Sequence, residues 1–267
     1  APLPQSLVAV GTSGGYVWLL DAETVKPHAH IAVSRELPGI VSVDLSQSTG
    51  LLLAACADHG LRLLDLRNQK LLHTMRGHLD IVSSCGFLGS SSTAFTTSRD
   101  CVVKLWDLDK GQTQRSLPVS CPVTAAGVHR RTGVLVVGRA DGGISAFDPR
   151  VSDALSVATI VHNGSSVVAV RVAPSSRSVL SQSEDGTLCI TELGDMKTLF
   201  TLGTFRLASN PPPLAFSPDG AYVLASDAES VICWRAADGE RVCTLDASEA
   251  VCICWDMSRA ISAHRDG

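Results

Sequence analysis

One pattern recurs along the chain and constrains everything else about it. Apolar runs of strand length end in a polar residue at Asp21, Asp65, Asp107, Asp148, Glu192 and Arg235, at intervals of 44, 42, 41, 44 and 43 residues. A turn precedes each run. These turns are Ser13-Gly14-Gly15, Asp58-His59-Gly60, Arg99-Asp100-Cys101, Asp141-Gly142-Gly143, Glu184-Asp185-Gly186 and Asp227-Ala228-Glu229, with a seventh at Arg265-Asp266-Gly267. Most carry Asp or Gly, which tolerate the backbone of a tight hairpin. A second apolar run lies before each turn, as in Leu51 to Ala55 and Val134 to Val137, and a third lies earlier still, as in Val167 to Val172. A fourth follows the polar position, as in Lys70 to Met75. Each unit therefore holds four short strands and no helix of ordinary length, which predicts an all-β array of repeated sheets.

Composition narrows the function. With 267 residues and 45% hydrophobic side chains, the chain can bury a sizeable core. Only 18% of its residues are charged, which argues against disorder. Lys+Arg 22 against Asp+Glu 26 leaves a net charge of −4, so no nucleic-acid backbone binder is expected. No apolar run approaches the ~20 residues of a membrane-spanning helix, so no membrane role is expected. No secretory leader is visible over residues 1–7. The nine cysteines are odd in number and include no C-x-x-C pair. They predict neither a disulfide framework nor a zinc knuckle, and they suit a reducing, cytoplasmic setting.

The third unit carries the most specific motif. It runs from Gly77-His78 through Thr97-Ser98-Arg99-Asp100 to Trp106-Asp107. With the period, this resembles the WD40-repeat family over essentially the whole chain. The resemblance implies a WD40-type β-propeller of four-stranded antiparallel blades, with six full repeat positions and a partial seventh. It also implies a buried hydrogen-bonded tetrad of His78, Ser98, Asp100 and Trp106 with a structural role. Ser, His and Asp in one unit also suggest a catalytic triad. Held between strands inside a blade, however, the His has no access to a substrate.

The other units depart from the motif. Gly14 and Leu20 stand at the Asp and Trp positions of the first unit. Asp58 is kept beside Leu64 in the second, and Asp141 beside Phe147 in the fourth. The fifth keeps Ser183 and Asp185, with His162 as a candidate partner, but has Thr191 for the Trp. The sixth keeps Ser226 and Trp234, with Ala228 at the Asp position. Such blades are expected to rely on apolar packing between neighbours. The first unit begins at its second strand and the seventh stops at its hairpin. The expectation is a single propeller domain over residues 1–267, cut from a longer WD-repeat array.

No catalytic, cofactor or metal constellation emerges, so no enzyme is expected. Gly11-Thr12-Ser13-Gly14-Gly15 matches the G-x-S-x-G nucleophile elbow, but a strand follows it where that motif needs a helix. No P-loop, H-E-x-x-H or C-x-x-C occurs. Asn163-Gly164-Ser165 reads as a turn. With aromatics at 4%, an aromatic cage for a modified peptide is disfavoured. The expected function is a non-catalytic scaffold for protein or peptide partners, with no small-molecule substrate. Candidate partner contacts are the residues beside the turn aspartates: Arg99, Glu184, Asp227 and Arg265. The alternative is a sensor propeller of a large signalling NTPase of the STAND/NACHT type, with its nucleotide-binding module outside this segment.

Overall fold

A computed structural model describes residues 7–21, 24, 26–33, 38–89, 92–150, 155–174, 177–205, 213–226, 230–246, 250–256 and 259–264. All regular structure among them is β. The first sheet is β1 (Leu7–Gly11), β2 (Tyr16–Asp21) and β3 (Pro27–Ala32). The second is β4 (Ile40–Ser46), β5 (Leu51–Cys56), β6 (Leu61–Asp65) and β7 (Lys70–Met75). The third is β8 (Val82–Phe87), β9 (Thr93–Ser98), β10 (Val102–Asp107) and β11 (Gln112–Pro118). The fourth is β12 (Val123–Val128), β13 (Leu135–Arg139), β14 (Gly143–Phe147) and β15 (Leu155–Ile160). The fifth is β16 (Val167–Val172), β17 (Ser178–Ser183), β18 (Thr187–Glu192) and β19 (Thr198–Thr204). The sixth is β20 (Leu214–Phe216), β21 (Tyr222–Ser226), β22 (Ser230–Arg235) and β23 (Arg241–Asp246), and β24 (Ala250–Asp256) pairs with β25 (Arg259–His264) in the seventh.

Within every sheet the strands pair in chain order. Five sheets have four strands, one has three and one has two, which is the blade architecture the repeat predicts. The chain divides into two compact units, Ala1–Val123 and Thr124–Gly267.

Burial explains why the strands read as they do. β5 is buried along almost its whole length, with Leu52 to Cys56 each 0% exposed, because both of its faces are covered. In the first unit, Leu52, Ala54 and Cys56 pack against Val17, Leu19 and Ile31 of the first sheet. Leu53 and Ala55 point the other way, onto Val82, Phe87 and Trp106 of the third. This is the period of two that a strand imposes. The fourth strands are mostly solvent-facing, as in β7. In the second unit, Val136 and Ile144 meet Val167 and Val179, and Leu180 and Ile190 meet Val223 and Trp234. Each fully buried Leu or Val contributes roughly 1.5–3 kcal/mol, so this packing is a large stabilising contribution to the first six sheets.

Polar links fix the first strands of the second and third sheets to each other. The Phe87 N–H donates to Asp44 Oδ2 at 2.9 Å, and the Cys85 N–H donates to Ser42 Oγ at 3.3 Å. The hairpins between second and third strands need a left-handed residue directly after the turn Asp. Gly186 supplies it at φ 85, and a Cβ there would collide with the Phe205 carbonyl. In the second and third sheets the same position is taken by His59 and Cys101, both at φ 63.

Candidate functional site

The third sheet builds its hairpin on a continuous hydrogen-bonded chain. Trp106 Nε1–H donates to Thr96 Oγ1 at 2.8 Å. Thr96 Oγ1 lies 2.7 Å from His78 Nε2, and His78 Nδ1 lies 2.8 Å from Asp100 Oδ2. Proton placement follows from chemistry. An ionised Asp only accepts, so Nδ1 carries the imidazole proton, Nε2 accepts from the Thr96 hydroxyl, and the hydroxyl oxygen is left to accept from the indole. Burial pushes the His78 pKa down and outweighs the opposing pull of Asp100, which keeps the ring neutral. Burial pushes Asp100 up, but hydrogen bonds from the Leu79 N–H and from His78 bring its carboxyl below the ordinary value.

The hydroxyl in this chain is Thr96, not Ser98. Trp106 is the register partner of Ala94. Thr96 is two residues further along the same face, whereas Ser98 is four residues along, about 13 Å at strand spacing and out of reach of the indole. Ser98 instead closes the turn. Its Oγ donates to the Asp80 carbonyl at 3.1 Å and accepts the Asp100 N–H at 3.1 Å.

Other turn aspartates are held differently. Asp58 takes a bidentate pair from Arg62, Nη1 at 2.7 Å and Nη2 at 2.6 Å, and a third contact from Arg76 at 3.1 Å. The Arg62 side chain is 2% exposed, and its hydrogen bonds hold the Asp58 carboxyl below the ordinary range. In the fourth sheet, Arg139 Nε donates to Asp141 at 2.9 Å and Nη1 to Ser145 Oγ at 2.9 Å. In the fifth, His162 Nε2 lies 2.9 Å from Ser181 Oγ, the counterpart of Thr96. Asp185, however, is engaged by Ser183 Oγ and the Thr187 N–H. His162 Nδ1 and Thr191 Oγ1 are buried with no protein partner, and burial pushes the His162 pKa down to about 4.

The turn geometry presents a surface. The Leu79 N–H donates to Asp100 Oδ2 at 2.9 Å, so the buried carboxylate fixes the backbone of a side chain that is 88% exposed. Ile81, 39% exposed, accepts the Arg99 N–H at its carbonyl at 3.1 Å, and Arg99 itself is exposed. Glu184 holds the equivalent place in the fifth sheet, exposed, with its N–H bonded to the Ser166 carbonyl at 2.8 Å. Asp227 and Arg265 lie outside the described residues. Among the described residues, no group of three or more His, Cys, Asp or Glu is placed to hold a metal, and no helix is long and apolar enough to cross a membrane. Leu79 was missed in the sequence because a lone Leu next to a polar loop carries no periodic signal.

The same stretch that forms this chain of hydrogen bonds matches a family model. Residues 69–107 match "WD domain, G-beta repeat". This stretch of the chain is a WD40 repeat. It is 28% identical over 246 residues to "Protein tipD" of Dictyostelium discoideum, a match covering 85% of this chain and 39% of that protein. It is 26% identical over 228 residues to "Autophagy-related protein 16" of Arabidopsis thaliana, covering 82% of this chain and 44% of that one. It is 27% identical over 158 residues to "Pre-mRNA-processing factor 17" of Saccharomyces cerevisiae, covering 58% and 35%. The matches span less than half the length of each of these relatives. Among the described residues, the matched WD40 repeat is the unit with the uninterrupted Trp–Thr–His–Asp chain.

Proposed function

We propose that this chain is a protein-interaction scaffold without catalytic activity, and that the hairpin-turn side of its blades is the surface that receives protein or peptide partners. The observation that carries this reading is Leu79. A large apolar side chain 88% exposed has no stabilising role in the fold, yet its backbone is held by the buried Asp100 carboxylate, which His78 and the Val102 N–H also engage. A rigid apolar anchor beside an exposed Arg suits a peptide side chain flanked by a carboxylate. The His in this sheet is used up in holding its own hairpin, which leaves it no role as a general base. Kinship with WD40 proteins supports a scaffold in the same direction.

The test is affinity capture on the full chain with Leu79→Asp and Arg99→Glu, each checked by thermal melting. Loss of a common set of captured proteins at unchanged melting temperature supports the proposal. An identical captured set from both variants and the wild type refutes it. Glu184→Lys extends the test to the fifth sheet.

A further inference from the structure

Two thiols face each other across the sixth sheet, and nothing in the repeat requires them. Cys233 on β22 and Cys243 on β23 are direct register partners. Opposed residues of an antiparallel pair have Cα atoms about 4.5 or 5.5 Å apart. Both values lie inside the about 4.4–6.8 Å window that a disulfide spans. Cross-strand partners also emerge on the same face. For Cys233 that face carries Ala215, Leu224 and Val231, opposite the one carrying Ile232 and Trp234. Both thiols are free. Their environments differ: Cys233 is 7% exposed, whereas Cys243 is open to solvent. Burial, reinforced by the neighbouring Cys243 thiol through its charge and its hydrogen bond, pushes Cys233 up to about 11. A register shift between Cys233 and Trp234 loosens the ladder directly beside the pair, which gives the backbone room to adjust.

We infer that Cys233 and Cys243 are a peroxide-sensitive pair that closes to a disulfide between the third and fourth strands of the sixth sheet. The accessible thiol reacts first. The Cys243 thiolate attacks one oxygen of hydrogen peroxide, an S–O bond forms, the O–O bond breaks and hydroxide leaves. Sulfur is oxidised to the sulfenic acid and the peroxide is reduced. Cys233 then attacks the Cys243 sulfur. The S–S bond forms, the S–O bond breaks, and the proton from Cys233 leaves with that oxygen as water. In sum, two thiols and one peroxide give one disulfide and two waters. A solvent-accessible thiol with a second thiol directly beside it to resolve the sulfenic acid is the arrangement such a sequence uses. The bond ties the solvent-facing β23 to the buried β22 and removes a reactive surface thiol.

The test treats the fully reduced chain with stoichiometric hydrogen peroxide, blocks the remaining thiols and maps peptides without reduction. The expected result is a linked peptide pair containing Cys233 and Cys243, a loss of two hydrogens from the intact mass, and full reversal by a thiol reductant. Cys233→Ser should stop at a Cys243 sulfenic acid that a dimedone probe traps, and Cys243→Ser should give neither product. Oxygen addition at Cys243 in the wild type without a link overturns the inference. So does a disulfide that forms only elsewhere, such as between Cys101 and Cys121. The wild-type map decides the matter even if a variant folds poorly.

Discussion

In the third sheet, Asp100 is satisfied by a neutral chain of hydrogen bonds running back to an indole; in the second, Asp58 is satisfied by an ion pair with an arginine 2% exposed. Both carboxylates sit at the same turn, ahead of a left-handed residue at φ 63. Where a turn Asp is kept, the repeat leaves open which strand supplies its donor. The choice has energetic consequences. A buried guanidinium stripped of its partner is far more costly than a buried hydroxyl or imidazole stripped of one.

The comparison can be broken most severely at Asp58. Asp58→Ala leaves Arg62 as an uncompensated buried charge and should destabilise by about 3–5 kcal/mol in chemical denaturation. Adding Arg62→Met should restore most of that loss, because an apolar chain of similar length needs no partner. A smaller effect is expected in the third sheet. Asp100→Ala and Thr96→Val should each cost roughly 1–3 kcal/mol, the first by orphaning the Leu79 N–H and His78, the second by orphaning His78 and Trp106. Unchanged melting of Thr96→Val would mean that the chain through the hydroxyl is not formed. Ser98→Ala should cost less, about 0.5–1.5 kcal/mol, since it removes only the bonds that close the turn.

How much of this was legible in the sequence follows from what each pattern encodes. The period, the strands and the turn aspartates are local properties, written in apolar alternation and in Asp-Gly chemistry, and the sheets follow them. The tetrad was legible in three of its four members. Thr96 and Ser98 lie two residues apart on one face, so composition cannot choose between them. Only the strand register, with Trp106 opposite Ala94, places Thr96 within reach. Arg62 and Arg139 were passed over for a related reason. One lies on the third strand of its sheet and the other on the second, so no fixed offset from the Asp announces them.

The fifth sheet sharpens the comparison through pH. His162 keeps Ser181 but has no protein partner at Nδ1, and burial pushes its pKa down to about 4. An unfolded His takes up its proton near 6.5. Between these values the unfolded chain binds more protons, so stability falls as pH drops from about 6.5 toward 4, and this loss ends below about 4. His162→Gln should flatten that slope in denaturant titrations. Asp58 and Asp100 act in a lower window. Their folded pKa values lie below the ordinary ~3.9, so their contribution is fully present above it and is lost only as pH falls beneath it.

The central claim is that a neutral chain from Trp106 through Thr96 and His78 to Asp100 builds the hairpin that presents Leu79. Its most direct test is the nitrogen-15 spectrum of the His78 imidazole in the folded chain at neutral pH. The account predicts a neutral ring protonated at Nδ1 that takes up its second proton at a lower pH than a free histidine does. A ring protonated at Nε2, or an imidazolium at neutral pH, would contradict it.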